Sequence, residues 1–385
     1  MHLLLRRAVL MSALLLLPAL LNAAEQDHQF NLFNGKDLAG WDITNCKVAV
    51  EDGALVLSEG NGFARSNLKY GDFVLELDWR ARQADKYDSG IYVRSQFPSS
   101  QRSRQWPDRY QINLKDGEEG NLVGVPSAAS KGLVKRGQWN HFKITAAGPK
   151  LSLEINGKPA WTYDGLKETS GYIGLQSETP LGGQFEFKNM RLTEVGFRTL
   201  FDGKDLAGWQ GDTKGYVVED GKIVALKTGR GNLYTKDEFA DFAVRFDFRL
   251  EPGANNGLAV RAPLSGDAAY QGMEIQVLDD GNEQYKNIQP YQAHGSVYGI
   301  APAKRGFLKP VGQWNSEEVI CRGRQVTVNL NGTTIVDVNL DEASTPHTID
   351  KREHPGLKRA SGHIGFCGHG ARVEFANLRV KPLEK

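Results

Sequence analysis

A seven-residue sequence, Gly-Lys-Asp-Leu-Ala-Gly-Trp, occurs twice in the chain, at Gly35–Trp41 and again at Gly203–Trp209. Such an internal repeat indicates two tandem copies of one folding unit, which we call the first and second modules. The chain has 385 residues, enough for two domains that each bury a complete hydrophobic core. Positions that agree between the modules are expected to serve folding, whereas positions that differ are candidates for chemistry.

Further motifs recur in the same order and delimit the two modules. Gly-Gln-Trp-Asn stands at Gly137–Asn140 and again at Gly312–Asn315. From these matches we predict a first domain at 29–195 and a second domain at 198–382. The segment between them is short, so the modules are expected to touch.

The second module is longer than the first in two places. Extra residues lie between Arg261 and Gly312 and between Asn331 and Gly362, compared with the matching stretches of the first module. Loops tolerate insertions and often carry function. The two enlarged segments are therefore candidates for functional loops.

Both modules are predicted to consist of β-strands. Apolar and polar residues alternate over 73–80 and over 242–249, which is the period of a strand with one buried face. The dipeptides Asn156-Gly157 and Asn331-Gly332 separate alternating runs, a pattern typical of a type I′ hairpin turn. We therefore predict an all-β chain with one antiparallel sandwich or jelly roll in each module.

The N-terminal residues carry the pattern of a targeting segment. Arg6 and Arg7 precede an apolar run over 8–21, and Asn-Ala-Ala follows at 22–24. This pattern predicts a signal peptide at 1–24, a periplasmic or secreted protein, and a mature chain without a transmembrane segment. The formal net charge is +1 and long runs of like charge are missing, so a nucleic-acid partner is not expected.

The motifs resemble the 3-keto-disaccharide hydrolase domain family, whose enzymes are also described as 3-keto-glycoside lyases and hydratases. The resemblance rests on the heptapeptide, on Gly-Gln-Trp-Asn, on the Asn-Gly hairpin and on a closing Ile-Gly…Glu-Phe…Asn segment, all present in both modules. In the second module, 270–280 resembles the family's acidic strand, 295–302 its following loop and 368–370 its histidine-glycine turn. The resemblance implies two tandem concanavalin A-like jelly rolls that act on a carbohydrate, the glycoside of a keto sugar.

The acidic strand allows a prediction of which side chains share a face. Met273 and Ile275 are apolar and are expected to face the core, so Glu274 and Gln276 are expected on the opposite face. If the preceding strand is its neighbour, Arg261 joins them on one polar surface. Five histidines also lie in the second module, which suits proton transfer or metal binding.

The implied reaction removes the C2 hydrogen of a sugar oxidised at C3, expels the oxygen at C1 and adds water. It needs a base, an acid and a positive group beside the enolate oxygen. The predicted catalytic residues are Glu274 or Asp279 as base and His294 or His369 as acid or metal ligand. The predicted substrate-binding residues are Arg261, Gln276, Asn256, Tyr298 and Lys304, with Arg261 or Lys304 beside the enolate. A divalent metal is an alternative stabiliser, although the chain has no compact motif such as His-Glu-x-x-His.

Other interpretations stay open. A tandem carbohydrate-binding protein without turnover fits the same fold, because jelly rolls also serve lectins. A retaining glycosidase would need carboxylates at alternate positions of one strand, and Gln276 stands where the middle one belongs. Arg94 and Arg261 recur at matching positions, which fits either folding or sugar recognition. Cys321 and Cys367 either form a disulfide or remain buried thiols.

Overall fold

The computed structural model describes residues 27–97, 106–107, 110–130, 132–178 and 184–384. The predicted signal peptide at 1–24 lies outside the described residues. The described chain is mainly β-structure, and the helices within it are three or four residues long.

The strands follow the repeat. The first module contains β1 (Asp27–Asn31), β2 (Trp41–Glu51), β3 (Ala54–Ser66), β4 (Phe73–Ala81), β5 (Gly90–Ser95), β6 (Gln111–Asn113), β7 (Asn140–Ala147), β8 (Lys150–Ile155), β9 (Lys158–Asp164), β10 (Tyr172–Ser177) and β11 (Phe185–Thr199). The second module contains β12 (Trp209–Gly211), β13 (Tyr216–Glu219), β14 (Lys222–Ala225), β15 (Asn232–Phe239), β16 (Phe242–Leu250), β17 (Asn255–Ala262), β18 (Met273–Leu278), β19 (Trp314–Arg322), β20 (Gln325–Leu330), β21 (Thr333–Asn339), β22 (Gly362–Cys367) and β23 (Val373–Pro382). Its helices are α1 (Ala268–Gln271), α2 (Leu340–Ala343) and 3₁₀ turns at Glu283–Tyr285, Pro290–Gln292 and Pro355–Lys358.

The alternating sequence patterns form strands with one buried face, as predicted. Every second residue of β4, from Phe73 to Ala81, is buried. At the hairpin between β8 and β9, Asn156 and Gly157 have φ angles of 52° and 79°. Two successive positive φ angles define a type I′ turn, which matches the right-handed twist of the strands on either side.

Each module consists of two antiparallel sheets packed face to face. In the second module the front sheet has the strand order β12-β15-β22-β17-β18. The back sheet pairs β13, β14, β23, β16, β19, β20 and β21 in that order. In the first module β3, β10, β5 and β6 form the front layer, and β11, β4, β7, β8 and β9 form the back layer. The long strand β3 also pairs with β11, so the two layers of this module are joined by hydrogen bonds.

The space between the sheets of each module is filled by its own hydrophobic core. One core draws its residues from 32–192 and the other from 201–380. The chain is therefore all-β with two tandem concanavalin A-like jelly rolls, which confirms the predicted fold class.

The modules touch through a continuous strand and a buried ion cluster. Strand β11 runs on from the first module and pairs with β23 of the second through Arg198 and Thr199. Glu194 of β11 is buried between Arg379 and Arg245 of the second module, with N–O distances of 2.8 and 3.0 Å. Burial raises the pKa of Glu194, but the two arginine charges outweigh burial and lower it to about 2.

All three cysteines carry free thiols, and Cys321 and Cys367 are buried. The structure therefore supports buried thiols rather than a disulfide between Cys321 and Cys367. Within the described ranges, helices long and apolar enough to cross a membrane are absent.

Candidate active site

A cleft of about 300 Å³ opens on the outer face of the front sheet of the second module. Its polar lining consists of Asn255, Asp267, Glu274, Gln276, Gln292, Arg352 and His369. Tyr270, Tyr285 and Tyr298 supply aromatic rings. A concave site with a few converging polar groups among aromatic side chains is typical of a small-molecule site.

Strand β18 brings Glu274 and Gln276 to the cleft. The odd-numbered residues of this strand pack into the core, so the even-numbered side chains face the opposite way. This placement confirms the alternation predicted from the sequence. Gly257 of the neighbouring strand leaves room for the carboxylate, because a Cβ atom there would lie 1.8 Å from Oε1 of Glu274.

Glu274 forms a pair with His369, which lies in the turn after β22. The Nε2 atom of His369 is 3.4 Å from Oε1 of Glu274. The Glu274 side chain is only 7% exposed, whereas the His369 side chain is 44% exposed. The hydrogen bond with Glu274 raises the pKa of His369 above its ordinary value, although burial acts in the opposite direction. The His369 ring therefore stays protonated and positively charged to a higher pH than an ordinary histidine, beside the Glu274 side chain.

A cation and a phenol enter the cleft from elements that are specific to the second module. Tyr270 lies on α1, and Arg352 lies in the enlarged segment between Asn331 and Gly362. Nη1 of Arg352 donates a hydrogen bond of 2.8 Å to the Tyr270 hydroxyl. Burial raises the pKa of Tyr270, while Arg352 acts in the opposite direction. The result is a positive group held beside a hydroxyl at the cleft wall.

Amide side chains complete the floor of the cleft. Nε2 of Gln276 donates to Oδ1 of Asn255 over 2.8 Å. The Tyr298 hydroxyl accepts a hydrogen bond of 3.1 Å from Gln292. Gln276 and Tyr298 thus lie in the cleft where the sequence analysis placed substrate-binding residues.

Arg261 does not line the cleft, and its predicted place beside Glu274 is wrong. Its φ angle is +49°, in the left-handed region, so the alternation of β17 breaks at this residue and the side chain turns toward the adjoining loops. The guanidinium donates to the carbonyl oxygens of Ala240 and Gly323 and pairs with Asp241 at 2.9 Å.

The first module contains the same arrangement. Arg94 has a φ angle of +46° and donates to the carbonyl oxygens of Gly71 and Gly148. Its guanidinium also pairs with Asp72 at 2.5 Å. Both arginines therefore hold loops in place, which settles the choice between folding and sugar recognition in favour of folding.

Two more predicted residues lie on the core side of the front sheet. Asn256 is fully buried, and its Oδ1 accepts from the N–H of Gly257. His294 is also buried; its Nδ1 accepts from the N–H of Leu278, and its Nε2 lies 3.1 Å from the buried carboxylate of Glu317. Neither side chain reaches the cleft, so both placements are corrected.

Asp279 and Lys304 also lie apart from the cleft lining. The Asp279 carboxylate accepts a hydrogen bond of 2.7 Å from the N–H of Gly253, so it closes a turn next to β18. Lys304 is exposed on the loop before β19. Arg352 is the cation that lines the cleft, where Arg261 or Lys304 was predicted.

The cleft residues do not fit a metal ion. In the described part of the chain, no group of three or more His, Cys, Asp or Glu side chains gathers closely enough to hold one. Glu274, Asp267 and His369 line the cleft without forming such a set.

The corresponding surface of the first module carries different groups. Gln111 stands at the position of Glu274, and Glu178 at the position of His369. Nε2 of Gln111 donates to Gln176 over 2.7 Å, and Nε2 of Gln176 donates to Glu178 over 2.8 Å. A chain of two amides and a carboxylate therefore replaces the carboxylate–histidine pair.

Fold and site together define a protein of two concanavalin A-like jelly rolls with a polar cleft of about 300 Å³ on the second. The chain belongs to the 3-keto-alpha-glucoside-1,2-lyase-like domain family, whose model matches residues 29–193 and 196–381. This match confirms the family resemblance found in the sequence.

The chain is similar to a curated protein and to solved structures. A 3-keto-disaccharide hydrolase from Bacteroides thetaiotaomicron is 24% identical over 229 residues, which cover 49% of this chain and 79% of that protein. The structure of a provisionally assigned glycosyl hydrolase from Parabacteroides distasonis is 27% identical, with a TM-score of 0.44, over 49% of this chain and 99% of that one. A carbohydrate-binding module from Bacillus subtilis is 15% identical, with a TM-score of 0.31, over 40% of this chain and 96% of that one.

Proposed function

We propose that the protein is an exported enzyme that cleaves glycosides of 3-keto sugars, by elimination followed by addition of water. Family membership and the similarity to a 3-keto-disaccharide hydrolase support a glycosidase-type activity on a carbohydrate. The observation that carries the proposal is the Glu274–His369 pair in a cleft that also holds Arg352 and Tyr270.

The substrate chemistry explains why these groups belong together. A ketone at C3 acidifies the hydrogen on C2, because the electron pair left behind is delocalised into an enolate. The glycosidic oxygen on C1 then departs as a double bond forms between C1 and C2. The step needs a proton acceptor at C2, a proton donor at the leaving oxygen and positive charge at the enolate oxygen.

The cleft offers a residue for each role. Glu274 takes the C2 proton, and protonated His369 gives its proton to the leaving oxygen as the C1–O bond breaks. The buried position of Glu274 and the exposed position of His369 suit this division, since the leaving group has to depart toward solvent. General acid–base catalysis by such a pair contributes about 100- to 10,000-fold to a rate.

In this proposal Arg352 and Tyr270 hold the enolate oxygen. Negative charge develops on the C3 oxygen during proton removal, and a guanidinium and a hydroxyl that are already oriented stabilise it without reorganisation. Their mutual hydrogen bond of 2.8 Å fixes both donors beside each other before the substrate arrives.

Hydration returns the protein to its starting state. Water adds to C1 of the unsaturated sugar while neutral His369 accepts a proton from the water. Glu274, whose proton exchanges with solvent through the exposed His369 after the leaving group departs, delivers a proton to C2. The two steps together consume one water, break one glycosidic bond and leave both side chains in their original protonation states.

The test compares variants of the full chain on a 3-keto-glucoside and on the unoxidised glucoside. Glu274→Gln and His369→Gln are expected to lower kcat by about 100-fold or more. Glu178→Gln, at the position of the first module that matches His369, is the control and should leave kcat unchanged.

Other outcomes would favour the other functions. Binding of either sugar without cleavage, unaffected by Glu274→Gln, would indicate a carbohydrate-binding protein. Cleavage of the unoxidised glucoside at a comparable rate would indicate an ordinary glycosidase. A loss of activity in Glu178→Gln but not in Glu274→Gln would move the site to the first module.

A further inference from the structure

A buried carboxylate–imidazole pair lies directly behind the cleft. Nε2 of His354 is 3.1 Å from both carboxylate oxygens of Asp350, and the two side chains are 0% and 3% exposed. Nδ1 of His354 lies 3.2 Å from the carbonyl oxygen of Ala269. Both ring nitrogens thus lie within hydrogen-bond distance of oxygen atoms. Burial raises the pKa of Asp350, but hydrogen bonds from the Arg352 backbone, His354 and Thr348 outweigh burial and lower it.

The pair joins the two segments that supply the enolate-binding groups. Ala269 belongs to α1, and the ring of the next residue, Tyr270, lies 4.7 Å from the His354 ring. On the other side, the backbone N–H of Arg352 donates to Oδ1 of Asp350 over 3.0 Å. One dyad therefore contacts the element that carries the phenol and the element that carries the cation.

A third segment of the cleft wall packs against the same pair. Gly299 follows Tyr298, and its carbonyl oxygen accepts from the N–H of Asp350 over 3.3 Å. A Cβ atom at Gly299 would lie 2.5 Å from Oδ2 of Asp350 and 2.8 Å from Cε1 of His354. The φ angle of +73° at Gly299 also favours glycine. The loop that carries Tyr298 is thus held as closely as the other two segments.

The first module folds into the same sheets without this pair. Gly171 follows Asn156 by 15 positions, whereas Gly362 follows Asn331 by 31 positions, and the additional residues contain the dyad. A jelly roll of this kind therefore does not need the dyad for its own folding. Its contacts instead serve the cleft side chains that are found in the second module.

We propose that Asp350 and His354 are positioning residues, which hold Tyr270 and Arg352 in the orientation that stabilises the enolate oxygen. The inference rests on the proposed function. Neither residue touches the substrate; each acts through the two cleft residues. A displacement of about 1 Å at a catalytic group lowers a rate by up to about 100-fold, so loss of the dyad should affect the chemical step more than binding.

The first experiment measures steady-state kinetics of His354→Gln on the 3-keto-glucoside. We expect kcat to fall about 10- to 100-fold, with KM changing less than threefold. His347→Gln is the matched control, because His347 is an exposed histidine of the same segment outside the cleft lining; its kcat should equal that of the wild type. A fall in Tm without a fall in kcat would overturn the inference, since it would show a structural role alone.

A double-mutant cycle separates positioning from general damage. If His354 acts through Tyr270 and Arg352, then His354→Gln should cause no further loss of kcat in a chain that already carries Tyr270→Phe and Arg352→Gln. A full, independent loss in that background would overturn the inference. The proposed function would survive that result, provided that cleavage still depends on Glu274.

A crystal structure of the His354→Gln protein gives a readout that does not depend on activity. We expect the Tyr270 ring and the Arg352 guanidinium to move by about 1 Å or more, while the front sheet keeps its positions. Unmoved side chains would overturn the positioning role, whether or not the protein cleaves keto-glycosides.

Discussion

Replacement of Glu194 by glutamine perturbs the ion cluster between the modules. The carboxylate forms three hydrogen bonds: two with Arg379, at 2.8 and 3.0 Å, and one with Arg245, at 3.0 Å. Arg245 retains Glu318 as a partner in the variant, at 2.6 Å. Arg379 keeps its hydrogen bond to the carbonyl oxygen of Asn377 and the charge of the Asp247 carboxylate nearby. Glu194→Gln therefore removes the carboxylate that is hydrogen-bonded to this buried guanidinium.

The expected cost follows from the loss of that carboxylate. Removing one partner of a buried ion pair destabilises proteins by about 3–5 kcal/mol, because the remaining charge stays desolvated. Urea denaturation, followed by tryptophan fluorescence, measures the change in the free energy of unfolding. Glu59→Gln is the control: Glu59 pairs with Lys47 on the surface, where both side chains are more than half exposed, and such pairs contribute at most about 1 kcal/mol. A loss below about 1 kcal/mol in Glu194→Gln would refute the reasoning, since it would mean that water reaches Arg379.

Three further predictions concern pH and the repeated arginines. Burial and a neighbouring arginine lower the pKa of His28 from 6.5 to about 3. As pH falls from 6.5 toward 3, the unfolded chain therefore binds a proton at His28 before the folded chain does, and the free energy of unfolding should decline. Denaturation over this pH range should show the decline, and His28→Gln should make the decline smaller. NMR titration should give His369 a pKa above 6.5 that falls in Glu274→Gln, and kcat/KM should drop as pH rises through that pKa, because the protonated ring is the acid. Arg94→Gln and Arg261→Gln should each destabilise the protein by about 2–5 kcal/mol and leave affinity for the unoxidised glucoside unchanged, since both hold loops; a change in affinity without a change in Tm would contradict this.

The fold was predictable because the sequence contains an internal repeat, so each module could be compared with the other. Motifs in matching order gave the tandem arrangement, and residue alternation gave the buried faces of strands such as β4 and β18. The Asn-Gly dipeptides gave the hairpin turns, since few residue pairs adopt two successive positive φ angles. These features depend on residues that are close together in the chain, so they can be recognised from the sequence alone.

The site was predictable only where the strand period held. Glu274 and Gln276 were placed correctly because β18 is regular. The same alternation in β17 would have placed Asn255, rather than Asn256, on the cleft face. Leu258 faces the core, and Asn256, two positions before it, therefore faces the core as well. That error was therefore avoidable.

The remaining errors arose where the backbone leaves the strand period. The positive φ angle at Arg261 turns its side chain away from the sheet surface, and alternation cannot reveal that rotation. His294 lies in a loop, where burial follows from tertiary packing. Tyr270 and Arg352 were missed because a short helix and an inserted segment bring them together across 82 residues. The insertion itself was the available signal.

If cleavage begins with removal of the C2 proton by Glu274, the isotopic content of the product reports that step. The reaction would be run in D₂O for short times, with free product in D₂O as the control for spontaneous exchange. One deuterium is expected at C2 of every released keto-sugar molecule, because the Glu274 proton exchanges with solvent before it is delivered to C2, and this incorporation should be lost in Glu274→Gln. Release of a keto sugar that keeps its original hydrogen at C2, with an unchanged kcat for a substrate that carries deuterium at C2, would contradict this mechanism, because it would mean that the C2–H bond stays intact and the C1–O bond breaks by direct displacement.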